Sequence, residues 1–103
     1  MQRTLVTYRY RFTADPADFR AGLERAADVI ATAPGLIWKI WGIDPVRGIG
    51  TSAYLFESPE AAMEFTHCPM MKAFGQRPDV QDISFESAPI DRDLSRQTHA
   101  SFL

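Results

Sequence analysis

His67, Lys39 and a group of aromatic residues are the side chains in this sequence whose types and spacing could do chemistry. An imidazole with its ordinary pKa of ~6.5 can give or take a proton near neutrality, so His67 is the candidate acid or base. It stands beside Cys68-Pro69 at the expected end of a helix, where the alternative role is a solvated residue interacting with the helix dipole. Cys68 is either a small buried hydrophobe or a nucleophile, and as the sole cysteine it excludes an intrachain disulfide. Lys39 lies between Trp38 and Trp41 in an otherwise apolar run. Three roles are open to it: its stem lies on the apolar surface with its charge at the sheet edge, it meets an acid from a second copy, or it holds an anionic ligand. His99 sits in a polar tail with no chemistry around it.

Tyr8, Tyr10, Trp38, Trp41, Tyr54, Phe56, Phe65 and Phe74 can each serve as core or as the wall of a ligand pocket. Trp38 and Tyr54 are the preferred pocket residues, with Tyr8, Phe56 and Phe65 completing the candidate binding set. This choice requires Trp38 and Tyr54 to share the helix-facing side of a sheet, and a slip of one residue would reverse the face. No paired cysteines or His-x-x-x-His spacing point to zinc, and no carboxylate pair or nucleophile motif is evident.

The elements that must position these residues can be read in order. Leu5 to Phe12 alternates, with Val6, Tyr8, Tyr10 and Phe12 on one face and Thr7, Arg9 and Arg11 on the other, which predicts a strand with one apolar face. Asp15-Pro16 opens a helix whose buried stripe is Phe19, Leu23, Ala26, Ala27 and Ile30, and Pro34-Gly35 stops it. The second strand covers Leu36 to Asp44. Strict alternation would point Leu36, Trp38 and Ile40 one way and Ile37 and Trp41 the other. After a Pro- and Gly-containing loop, Thr51 to Phe56 predicts a third strand. Ser58-Pro59 opens a second helix with Ala61, Ala62 and Phe65 inward, Pro69 ends or kinks it, and Met70 to Phe74 adds a turn. Val80 to Ser87 is the last strand, with Ile83 and Phe85 on one face. The tail from Ala88 is polar apart from Ile90 and the closing Phe102-Leu103. Arg9 and Arg11 could pair with Asp82, Ser84 and Glu86 on a neighbouring strand.

The order strand, helix, strand, strand, helix, strand predicts an α+β ferredoxin-like fold: a four-stranded antiparallel sheet with both helices on one face. The other face would then expose a tryptophan with its aliphatic neighbours, several hundred Å² that at about 25 cal/mol per Å² forfeit several kcal/mol. A second copy packed sheet to sheet removes that cost, so a homodimer is expected. The alternative is a tail folded back over the sheet.

With 103 residues the chain is expected to form a single domain over 1–103. A net charge of −2, with basic residues scattered, leaves no footprint for nucleic acid or an anionic membrane. No segment reads as a secretory signal or a membrane span, and the default expectation is a cytoplasmic protein.

Pro34-Gly35-Leu36-Ile37-Trp38-Lys39-Ile40-Trp41 resembles the Pro-Gly-aromatic/aliphatic-Trp-Lys-Val-Trp run of the YdhR-type monooxygenase family. Gly50-Thr51-Ser52-Ala53-Tyr54-Leu55-Phe56 is similar to that family's Gly-Gly-Ile-Tyr-Leu-Phe strand, and Leu94-Ser95-Arg96-Gln97 is similar to its close. The resemblance implies a dimeric α+β barrel of the antibiotic-biosynthesis-monooxygenase superfamily, and oxidation of a small aromatic or phenolic compound without metal or flavin. Such an enzyme needs an apolar pocket and a group that removes a proton, so that the electron-rich anion meets O₂ in a dry site. His67 is the expected base. The alternative is a non-catalytic dimeric protein that binds an apolar small molecule. Haem-degrading relatives use a helix histidine near the place of His67, together with a first-strand asparagine and a third-strand tryptophan; neither partner is present here.

Overall fold

The computed structural model describes residues 2–101; the apolar chain end Phe102-Leu103 lies outside them. Strand β1 (Thr4–Phe12) keeps the alternation of its sequence throughout, with Val6, Tyr8, Tyr10 and Phe12 buried and Thr7, Arg9 and Arg11 exposed. Helix α1 (Pro16–Ile30) starts where Asp15 accepts a hydrogen bond from the Asp18 amide and Pro16 fills the first turn. Strands β2 (Leu36–Asp44) and β3 (Ile49–Phe56) form a hairpin. Helix α2 (Pro59–Thr66) is capped by the Ser58 hydroxyl, which accepts from the Ala61 amide at 3.1 Å. A separate short helix, α3 (Pro69–Gly75), follows the break at Pro69, and β4 (Val80–Pro89) runs two residues past its expected end.

The sheet order is β2-β3-β1-β4, with antiparallel neighbours. This is the ferredoxin-like α+β arrangement expected from the element order. Inward residues of β1 and β3 pack against Phe19 and Ile30 of α1, Ala62 and Phe65 of α2 and Met71 of α3, so these helices share one face of the sheet. The polar tail holds an element that periodicity did not reveal, helix α4 (Arg92–Gln97), capped by the Asp91 carboxylate and carrying Leu94 exposed. Six residues with a single large apolar side chain give no stripe to recognise. No helix among the described residues is long and apolar enough to cross a membrane.

Two irregularities change what the sequence alone implies. The pairing of β2 with β3 slips between Leu36 and Trp38, so Leu36 lies opposite Phe56 while Trp38 lies opposite Leu55. Ile37 is absorbed in the bulge, and Leu36 therefore shares the helix-facing side with Lys39, Trp41 and Ile43. Trp38 and Ile40 face the other way, which corrects the strict alternation expected from Leu36. A second bulge lies in β4 opposite Arg9–Arg11, where Asp82 takes a positive φ of 54°. Arg9 is set opposite Ser84, but neither Arg9 nor Arg11 forms an ion pair among the described residues.

Candidate active site

The helix-facing side of the sheet carries a small cavity, about 50 Å³, over β1, β2 and β3 and under α1 and α3. Its floor is Tyr8 and Tyr10 from β1, Lys39 and Trp41 from β2, and Ser52 and Tyr54 from β3. Register explains this grouping. Lys39 is paired with Tyr54 and Trp41 with Ser52, while Tyr54 and Ser52 lie opposite Val6 and Tyr8 on the other side of β3. Side chains on one face of neighbouring strands meet, so a strip of aromatic and polar groups crosses the sheet. Helix α1 contributes Leu23, Ala26 and Ile30 to the roof, and α3 contributes Met70, Met71 and Phe74.

Lys39 is the one basic side chain in this lining. Its Nζ lies 3.2 Å from the centroid of the Trp41 ring and 4.5 Å from that of Tyr54. Aromatic faces attract a cation through their quadrupole, by a kcal/mol or two when water is excluded. Among the described residues no carboxylate pairs with Lys39. Burial without a counter-charge disfavours the ammonium and lowers the pKa of Lys39 from 10.5 to about 7. The same desolvation acts oppositely on the phenols, whose charged form is the anion. It raises the pKa of Tyr8, lifts that of Tyr10 to about 12 with a further push from Tyr8, and drives that of Tyr54 higher still. The tyrosines therefore stay neutral while Lys39 is poised to change charge near neutrality.

The sequence-derived site residues separate in space. Tyr8 and Tyr54 line the cavity. Phe56 and Phe65 are buried behind it, their rings 5.4 Å apart and 6.0 and 5.2 Å from that of Tyr54, so they set the position of Tyr54 rather than the cavity wall. Trp38 is on the opposite face of the sheet because of the β2 bulge, and Trp41 occupies the place expected of it. His67 is exposed at the C-terminal end of α2, outside the cavity. Its Nδ1 is 2.9 Å from the Met63 carbonyl oxygen, a local helix-end contact consistent with its alternative role. Cys68 is half-buried at the N-cap of α3, with no hydrogen bond from its side chain to the cap. Lys39 carries the signal the sequence did offer: a lysine placed inside an apolar run.

With this geometry in view, comparison with known proteins assigns the family. The family model described as "Putative mono-oxygenase ydhR" matches residues 6–101. The chain belongs to this family. None of the curated proteins matches this family member in sequence. Its fold is similar to that of a mutant of SnoaB, a cofactor-independent oxygenase from Streptomyces nogalater, with a TM-score of 0.70 at 14% identity over 88% of this chain and 95% of that one. Protein SO0527 from Shewanella oneidensis is equally similar, with a TM-score of 0.70, 12% identity and coverage of 86% and 91%. Rv0793 from Mycobacterium tuberculosis gives a TM-score of 0.66 at 17% identity, covering 86% of this chain and 96% of that one. At such identities the likeness is one of fold, and the YdhR-type member described here is a ferredoxin-like α+β protein.

Proposed function

We propose that this YdhR-type protein is a cofactor-independent monooxygenase that oxidises a small aromatic or phenolic compound in the Lys39–Trp41–Tyr54 cavity. The observation that carries the reading is an aromatic-walled cavity on the helix face, holding one group that changes charge near neutrality. A phenol becomes reactive towards O₂ once it is deprotonated, because the anion places electron density on its ring carbons. One of those carbons adds O₂ as a hydroperoxide, the proton on that same carbon is lost, and the O–O bond breaks as the carbonyl forms. One oxygen stays in a quinone and the other leaves as water, so the substrate itself supplies the electrons. Apolar walls keep water from the intermediate. The cavity holds only a water or two at its present size, so a ring enters as the Lys39 stem and the flexible side chains of Met70 and Met71 draw aside.

The working form is a homodimer, as the sheet supports. Its outer face carries Trp38, half-exposed Ile40 and Ala53 beside the buried Leu55, an apolar area that a second copy would cover. The experiment for the enzyme reading is oxygen uptake by purified protein with a panel of phenols, hydroquinones and polycyclic hydroxyarenes under air. Uptake above buffer, matched mole for mole by a quinone, is expected for at least one compound. No uptake with any of them, alongside quenching of tryptophan fluorescence by the same compounds, would replace the enzyme by a binding protein.

A further inference from the structure

We propose that Lys39 is the catalytic base of this cavity: its amine takes the proton of a bound phenol and the resulting ammonium holds the phenolate. The step balances as a proton transfer, with neutral amine and phenol giving ammonium and phenolate and no change in total charge. It rests on the reading of the cavity as a phenol site and adds to it the proton acceptor and the orientation of the substrate. The ring would lie along Trp41 and Tyr54 in the slot that the Lys39 ammonium now fills, with its hydroxyl turned to Nζ. The substrates so defined are hydroxyarenes with a free, unhindered hydroxyl; an aryl ether of the same shape has no proton to give.

Three features of the surroundings support this. First, the neighbours of Lys39 cannot do the task themselves. The titratable groups that face it are Tyr8 and Tyr10 from β1 and Tyr54 from β3, all held neutral by burial, while α1 and α3 present only apolar side chains. Cys68 and Arg77 act only at one remove, on Tyr54 and Tyr10 respectively. Second, Lys39 has no acid partner among the described residues, so a phenolate oxygen is free to become its counter-ion. Third, desolvation makes the amine available at neutral pH, and an ion pair formed with the substrate restores the charge that burial opposed. His67, exposed and turned back on its own helix, needs no part in the step.

The test uses para-nitrophenol, whose phenolate is yellow and whose phenol is nearly colourless. Binding is measured by equilibrium dialysis and ionisation by absorbance, below the pH at which the free probe ionises. The intact protein should raise the phenolate fraction of bound probe about tenfold over that of free probe, equal to a shift of one pH unit in its titration. Lys39→Met should bind the probe without the colour, and Lys39→Gln repeats the test should the first variant not fold. Lys39→Arg keeps a cation that cannot serve as a base, so it should retain the colour while losing the inflection near pH 7 in kcat/KM for oxygen uptake. Bound probe that stays colourless in the intact protein, or equal colour in Lys39→Met, overturns the role of Lys39 and leaves the cavity standing. An unchanged inflection in Lys39→Arg leaves the cation and removes the base. Absence of any binding overturns both the cavity and the base.

Discussion

Lys39 sits where a fold assembled for stability alone would place a leucine or a methionine, and the cost is visible in its protonation. An unfolded lysine keeps its proton to about pH 10.5, whereas burial lets the folded one release it at about 7. Between these values the unfolded chain binds more protons, so stability rises with pH across that window and is flat below it. The expected gain from pH 7 to pH 10 is roughly 3 kcal/mol at most, reduced by partial solvent exposure. Urea midpoints measured across this range should climb in the parent. They should be nearly level up to about pH 9 in Lys39→Met, before the buried tyrosines begin to lower stability in both proteins, and this variant is also the more stable protein at the acid end. A parallel climb in both proteins would mean that the amine reaches water and is not desolvated.

At the scale of elements, Gly50 shows how strand pairing shapes the cavity. It lies opposite Tyr10, whose ring packs across its Cα so closely that a Cβ would collide with the phenol. Gly50→Ala should push Tyr10 out of place and cost about 1–3 kcal/mol as overpacking, read as a lower urea midpoint, with weaker phenol binding. An unchanged midpoint would show that the ring can move freely. Gly35 has the corresponding duty at the entry to β2: its positive φ of 78° and its contact with Ala61 leave no room for a side chain, and its carbonyl oxygen accepts from the Glu57 amide.

Elements are also where the sequence was most and least legible. The alternation of β1, the proline-led starts of the first two helices and the order of the four strands along the chain follow from local chemistry and were readable. The bulge after Leu36 was not, because both faces of β2 are apolar and no hydrophobic pattern penalises the slip. That single extra residue turned Trp38 away from the cavity and brought Trp41 and Lys39 in; of the five expected pocket residues only Tyr8 and Tyr54 line the cavity, and Phe56 and Phe65 are buried behind it. The exposure of His67 was one of the two roles its sequence position allowed, and the sequence could not choose between them. Where a helix breaks depends on how the following proline-led turn packs, and proximity in sequence to the helix end says nothing of the direction of the ring.

For the whole molecule, the helices shelter one face of the sheet, and the other keeps an apolar half near β2 beside an arginine-bearing strip on β1. Burial of the apolar half between two copies would bring Trp38 and Ile40 into a common interface, with Arg9 and Arg11 towards its edge. Light scattering at micromolar concentration should return twice the single-chain mass, and Ile40→Glu should halve it. A stable single-chain particle from the parent would rule the pairing out.

The two tryptophans lie on opposite faces of the sheet, which makes them separate reporters of the central claim that ligand enters beside Lys39. The deciding measurement is fluorescence quenching by a hydroxyarene in Trp38→Phe, where Trp41 remains, and in Trp41→Phe, where Trp38 remains. Saturable quenching in the first and little in the second is the expected result. Quenching confined to Trp41→Phe would put the ligand on the outer face and contradict the site.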